Sequence, residues 1–461
     1  MLWFRLFYVD GAAHKPLDVS KVAYLEVLDK DQKAVLQTKV AFDSGRGMGS
    51  IMLPTSLLSV YYILRAYTHW MKLVSPDFLF EKPLTLINPF RKPRLTAPTD
   101  TAAYDVQFFP EGGNLVSGLP ANVAFKIVDK QTGRGVNLGG VVLSQTNDTV
   151  ARFSPLRHGI GTFSLTPSAR DTYRVLLTGS RSKSSGYSLP TIYETGYAMQ
   201  VAAVAGQVRV TVRTNKANAS PTLYLLGHTR QVLKLSQARQ LAGGEVVFTF
   251  PKNGLGEGIS HLTVFNGEGK PVCERLWCNR PQPELLIQAK PDKDTYATRA
   301  PVSLDFTTKN SASGSQIADL SVAVYRLDSL QPGEATTLPS YLWLTSDLRG
   351  TVESPDEYLA QASADADVAL DNLMLTHGWR RFRWEAVLQS KPTRPTEAPE
   401  HRGLVVRARV THSRTGAPAA GVPVYLSIPG KAVRLYSTRS DSAGLARVEL
   451  ANLYGTNDIV L

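Results

Sequence analysis

The stretch Thr345–Leu388, TSDLRGTVESPDEYLAQASADADVALDNLMLTHGWRRFRWEAVL, decides how this chain is read. It is the one segment with clear helical spacing in a sequence otherwise written in strands and turns. Val368, Leu370, Leu373, Met374 and His377 fall near the i, i+3, i+4, i+7 stations of one face, as a 3.6-residue period requires. Ser363 can cap the first turn, and Asp365 and Asp367 place negative charge at the positive end of the helix dipole. Gly378 follows the last periodic residue as a stop. The expectation is one short helix near 363–377 that packs Val368, Leu373 and Met374 against the β-strands of its own block. Beyond it, Trp379, Arg380, Arg381, Phe382, Arg383 and Trp384 interleave cations with aromatics. Such a run can stack bases or sugar rings while its arginines meet anionic groups. It can equally be a half-buried strand, with Phe382 and Trp384 on one face and Arg381 and Arg383 on the other. The alternation favours packing. Trp379, Arg380, Arg381 and Arg383 are retained as candidate partner-binding residues.

Outward from this helix the pattern has period two. At 461 residues the chain exceeds what a single core supports, so several domains are expected. The fold class that follows is mainly β, with tandem antiparallel β-sandwich domains of macroglobulin or immunoglobulin type. Residues 1–89 alternate strands and turns and end in the proline-rich NPFRKPRLTAP. Residues 104–178 repeat that plan: GRGMGSIMLP followed by YYILRA is echoed by RHGIGTFSLTP followed by YRVLL, about 110 residues later. GSRSKSSGYSLPTIYETGY reads as a long flexible loop before a third block, 198–281. The fourth block, 284–390, carries the helix as an insert in a β-domain. KPTRPTEAPEHRG then leads to a final β-block, 402–461.

Composition bounds the function. Hydrophobic residues are 43% and charged residues 20%, as in ordinary globular proteins rather than disordered ones. The net charge of +12 is compatible with anionic partners, and roughly half of the excess lies from Arg380 onward, yet diffuse solubilising charge explains it as well. Cys273 and Cys278 both lie in the strand-like VCERLWCN. Five residues of extended chain separate them by about 16 to 17 Å, beyond the roughly 4.4 to 6.8 Å of a disulfide. With no other cysteine in the chain, zinc held by cysteine is not expected either. MLWFRLFYVDG reads as a strand entering a turn rather than as a signal peptide, and the abrupt IVL terminus also reads as a strand. Both ends read as cuts in a longer polypeptide. No apolar run is long enough for a transmembrane helix.

No catalytic constellation emerges. None of the eight histidines stands in an HExxH or HxH arrangement, and neither a GxSxG elbow nor a GxxxxGK[ST] phosphate loop occurs. Gly47-Met48-Gly49 and Gly159-Ile160-Gly161 read as tight turns or bulges. Asp29 and Asp31, and Asp441 ahead of Gly444, read as turn formers without the graded spacing of a calcium loop. The expectations are therefore no enzyme, no cofactor, no metal and no nucleic acid.

Several segments resemble a known family. DKDTYATRAPVSLDF resembles the opening strand of macroglobulin-type domains, and LWFRLFYVDG through LTLINP is similar to such a domain lacking its first strand. FFPEGGNLVSGLPANVAFKIVD, HGIGTFSLTP, SDLRGTVESPDEYL and LMLTHGWRRFRWEAVL resemble large Gram-negative envelope proteins built of these modules. VVRARVTHSRTGAPAAGVPVYLSIPG with the later DSAG turn resembles a carboxypeptidase-regulatory-like, transthyretin-like domain, truncated here, of the kind found ahead of TonB-dependent receptor plugs. The resemblance implies a non-enzymatic scaffold or binding protein in the periplasm or at the outer membrane, with another envelope protein as partner. Macroglobulins proper trap proteases with a bait segment and a Cys-Gly-Glu-Gln thioester. Here Cys273 precedes Glu-Arg and Cys278 precedes Asn-Arg, so an inhibitor of this kind would lack the thioester. Two alternatives stay open: such an inhibitor, with a protease as partner, or the periplasmic N-terminal part of a TonB-dependent outer-membrane receptor.

Overall fold

Residues two apart on a strand share a face, so apolar alternation selects the side that packs. In Ala121–Asp129 it buries Val123, Phe125 and Ile127 on one face of the strand, all at 0% exposure. The same device recurs along the chain. The computed structural model describes residues 1–73, 79–90, 104–179, 186–219, 221–282, 285–310, 314–324, 336–360, 363–378, 384, 400–430, 433–454 and 459–461. The protein is mainly β, built of antiparallel sheets with few helices. It divides into two compact units, Met1–Pro98 with Gln389–Leu461, and Thr99–Leu388.

The first unit opens with β1 (Leu2–Phe7), β2 (Val22–Leu28), β3 (Ala34–Ala41), β4 (Arg46–Ile51), β5 (Tyr61–Tyr67) and β6 (Phe80–Thr85). They form a β1-β4 pair and a β3-β2-β5-β6 sheet. The second unit holds β7 (Tyr104–Pro110), β8 (Leu115–Val116), β9 (Ala121–Asp129), β10 (Gly140–Leu143), β11 (Thr149–Phe153), β12 (Ile160–Leu165), β13 (Arg174–Leu177), β14 (Tyr187–Ser188) and β15 (Ile192–Tyr193). Sheets β12-β9-β7 and β11-β10-β13-β14 share a core around Val123, Phe125, Val142 and Phe163. It continues with β16 (Tyr197–Val204), β17 (Gln207–Thr214), β18 (Thr222–Thr229), β19 (Val232–Gln240), β20 (Glu245–Pro251), β21 (Gly258–Phe265) and β22 (Pro271–Asn279). Sheets β16-β17-β20 and β19-β18-β21-β22 enclose Val210, Leu225, Phe248 and Leu262. A two-stranded hairpin follows, β23 (Leu285–Pro291) and β24 (Leu304–Asn310). Then come α1 (Leu338–Ser340), continuing as a π-helical turn over Tyr341–Thr345, α2 (Pro355–Leu359) and α3 (Ala364–Thr376). The chain re-enters the first unit with β25 (Leu404–Arg409), β26 (Pro423–Ile428), β27 (Arg434–Arg439) and β28 (Leu445–Leu450), whose core of Leu404, Leu426, Val448 and Leu450 packs on Tyr24 of β2.

Several sequence expectations change. The helix forms where its spacing places it, and Ser363 Oγ accepts the Ala366 N–H at 3.2 Å. Its buried face, however, is Ala366, Ala369, Leu370, Leu373 and Met374, while Val368 is 50% exposed. The helix stops where expected, with His377 as its last capping residue, and Gly378 follows without a positive φ. The helix packs on β22, β12, β9 and β7, strands of the second and third sequence blocks, rather than on its own block. Shorter helical turns, α1, the π-turn and α2, precede it. Within the serine- and glycine-rich segment, Tyr187–Ser188 extends a sheet beside β13, and Ile192–Tyr193 pairs with β8 in parallel. Tyr187, Leu189 and Ile192 pack on the core there, which a composition-based reading of the segment overlooks. The Gly-x-Gly elements are only partly turns. Gly159 has φ +71°, but Gly49 and Gly161 lie inside strands where a Cβ would fall 2.9 Å from the Phe4 ring and 2.7 Å from the Phe125 ring. Glycine is needed at those two positions because an aromatic ring lies over the backbone.

Candidate functional site

The four predicted partner-binding residues, Trp379, Arg380, Arg381 and Arg383, lie outside the described residues. What the structure does describe is the place α3 reaches. Leu370, Leu373 and Met374 enter a cluster with Ile160 of β12, Ile259 of β21, and Leu276 and Cys278 of β22. A helix that buries one stripe against strands of two sheet pairs joins them through a common apolar contact.

A buried charge network crosses the same junction. Arg275 of β22 has a side chain only 2% exposed, with its Nε 2.7 Å from Oε1 of Glu111, which follows β7 and is 1% exposed. The Arg275 guanidinium also reaches Asp371 Oδ2 of α3 at 2.6 Å. Glu111 Oε1 accepts the Val201 N–H of β16, and Glu111 Oε2 accepts the Asn122 amide of β9. Burial pushes the Glu111 carboxyl above its ordinary range, and Arg275, Val201 and Asn122 pull it back. Desolvating these charges is costly, and their mutual contacts offset that cost only while every partner stays in place.

Beside α3's C-terminal end lies a cleft of about 240 Å³ lined by Asp105, Gln107, Lys126, His158, Glu353 and His377 among others. His377 is 4% exposed. Its Nε2 is 2.9 Å from Lys126 Nζ, which donates to it. The ring proton therefore sits on Nδ1, 3.0 Å from Thr376 Oγ1, whose hydroxyl donates to the Asn372 carbonyl. Burial first and Lys126 second lower the His377 pKa to about 4. Burial also lowers the Lys126 pKa, while Asp105 and Glu353 act to raise it. Glu353 Oε2 accepts the Gly135 N–H, and His158 Nε2 lies 3.2 Å from Glu357 Oε2.

Trp384 is the one described member of the Trp379–Trp384 run. It meets Phe265 edge-on at 4.9 Å, lies 6.4 Å from His228, and its indole N–H reaches Thr263 Oγ1 at 3.3 Å. His228 stacks on His261 at 4.7 Å, and its pKa is lowered to about 4 by burial and then by His261. Trp384 thus packs against the third block's sheet, while the alternation of Arg381, Phe382 and Arg383 with it lies outside the described residues. Both cysteines are free and buried, with thiols pushed up to about 12, so neither is poised as a nucleophile. Asp29 Oδ1 accepts the Asp31 and Lys33 N–H groups, and Asp441 Oδ1 accepts those of Ala443 and Leu445, as turn formers do. Asp367 of the first helical turn pairs with Arg280. Among the described residues no group of three or more His, Cys, Asp or Glu could hold a metal ion. Glu111, Arg275, Asp371 and Lys126 were missed as site residues in the sequence. The one available signal was Arg275, a lone cation in the apolar strand VCERLWCN.

No protein family and no curated protein matches the chain's sequence. Solved structures do. Among those with a similar fold are bacterial α-2-macroglobulins. The native α-2-macroglobulin of Escherichia coli shares 10% identity over 67% of this chain and 24% of its own, with a TM-score of 0.17. Dimeric latent PorU of Porphyromonas gingivalis shares 11% over 56% and 30%, at 0.25. The surface layer protein SbsC, domains 4–9, shares 13% over 65% and 46%, at 0.24. The chain thus spans about a quarter of the length of the macroglobulin to which it is similar. At TM-scores of this size the molecules share no overall superposition. No described helix is long and apolar enough to cross a membrane.

Proposed function

We propose that this chain is a non-enzymatic scaffold or binding arm of the bacterial cell envelope, a set of β-sandwich modules that holds a partner protein at a defined position. The observation that supports this reading is the Glu111–Arg275–Asp371 network, in which the buried Glu111 after β7 and the buried Arg275 of β22 are tied to the partly exposed Asp371 of α3. Buried charges with specific partners fix geometry more than they add stability, which suits a part whose task is to present a surface. The envelope address, the carboxypeptidase-regulatory-like character of residues 402–461 and an outer-membrane association belong to the same proposal. They are motivated by the segment resemblances. The partner-facing residues in this proposal are Trp379, Arg380, Arg381 and Arg383.

The test separates the scaffold from a protease inhibitor and from an enzyme. Purified chain is incubated with trypsin, elastase and a metalloprotease, then separated by size, while cells expressing the full gene are fractionated. A scaffold leaves the proteases unretained and is found in the envelope fraction together with a partner, whose binding falls in R380Q/R381Q/R383Q. Stable protease capture, residence in the cytosol, or a turnover abolished by one point substitution contradicts the proposal.

A further inference from the structure

The end of α3, and Trp384 beyond it, are each held at a neutral histidine. On one side His377 accepts a hydrogen bond from Lys126 of β9 at 2.9 Å, at the wall of the 240 Å³ cleft. On the other, the Trp384 ring lies against His228 and Phe265 of the β18–β21 pair, where His228 and His261 are cross-strand partners stacked with 7° between their planes. We propose that these two contacts form an acid-released clasp: protonation of His377 and His228 detaches the end of α3 from β9, and Trp384 from β18 and β21, uncovering the apolar surface around Ile160, Ile259 and Leu276.

The charges that face each histidine set the direction. His377 meets Lys126 from β9, Asp105 from β7, Glu353 from the loop ahead of α2 and His158 from the turn ahead of β12, with the Thr376 hydroxyl on its own helix. Of these, Lys126 is in direct contact. A proton on Nε2 removes the acceptor Lys126 uses and sets two cations 2.9 Å apart. Asp105 and Glu353 stand at the cleft wall and soften this repulsion. His158 lies near Glu353 and Glu357, which face it from the loop ahead of α2 and from α2 itself. His228 faces His261 from β21 and Glu274 from β22; the first disfavours its charge and the second favours it.

Both folded pKa values lie at about 4, below the ordinary 6.5. A histidine depressed in the closed form contributes stability that is complete above pH 6.5 and is lost as pH falls toward 4, because the released form binds the extra proton. At pH 5 a single histidine shifting from 6.5 to 4 favours the released form by about 30-fold relative to pH 7.5.

The test is hydrogen exchange of the full chain at pH 7.5 and pH 5.0, with labelling times scaled for intrinsic exchange, and tryptophan fluorescence followed in parallel. The expected result is about 30-fold lost protection for amides 370–377 at pH 5.0. In H377Q, whose amide keeps an acceptor but does not titrate, that loss disappears, and in H228Q the acid fluorescence change is reduced. Should H377Q fail to fold by circular dichroism at pH 7.5, K126M serves, because removing the facing cation shrinks the loss. Equal wild-type protection at the two pH values, or the full loss persisting in H377Q or K126M, overturns the clasp.

Discussion

The junction around α3 and the β23–β24 hairpin are written in equally strong patterns and end in opposite environments. Leu373 of α3 is 0% exposed among strands of two sheet pairs, whereas Ile287 of β23 is 56% and Phe306 of β24 is 41% exposed. The hairpin register places Leu285, Ile287, Leu304 and Phe306 on one face, an apolar face as regular as that of β9. The contrast teaches that periodicity states which side of an element is apolar. Burial depends on whether another element arrives there. At α3 the arrival is recorded by Arg275, Glu111 and Asp371, which meet across three elements; no buried ion pair is found in the hairpin among the described residues.

Breaking the comparison begins at the charge network. Arg275→Met leaves Glu111 buried without its cation and is expected to cost about 3 to 5 kcal/mol in urea unfolding. Leu373→Ala should follow at about 2 to 5 kcal/mol, since it empties a site enclosed by several elements. Trp384→Ala is expected to cost about 3 kcal/mol through lost contact with Phe265, with thermal stability falling in step. Unchanged stability with selective loss of partner binding would instead make Trp384 a contact residue. Smallest of all, Ile287→Ser in the hairpin should change the unfolding free energy from urea titration by no more than about 0.5 kcal/mol, because the side chain has little burial to lose. A cost near that of Leu373→Ala would erase the contrast between the two regions.

Much of this was legible in the residues. Alternation in ANVAFKIVD and VRVTVRT placed strands correctly, because a period of two is a local property of the chain. The capping of α3 by Ser363 was readable for the same reason. The partner of α3 was not. Val368 stood in phase with Leu373 by spacing, yet it is exposed, since the direction from which β22 and β12 approach is set by tertiary packing rather than by the helix. Lys126 and His377 lie 251 positions apart in the chain, and Glu111 and Arg275 are likewise brought together only by folding. Gly49 and Gly161 read as turns until the rings of Phe4 and Phe125 lie over them, a contact across strands that no local pattern records.

The central claim is that α3 holds β12 and β22 as one cooperative body. Native-state hydrogen exchange at pH 7.5 on wild type and Leu373→Ala tests it most directly. The expected result is that protection falls together in α3, β12 and β22, by one common amount of about 2 to 5 kcal/mol. Loss confined to α3, with β12 and β22 exchanging as in the wild type, would contradict it.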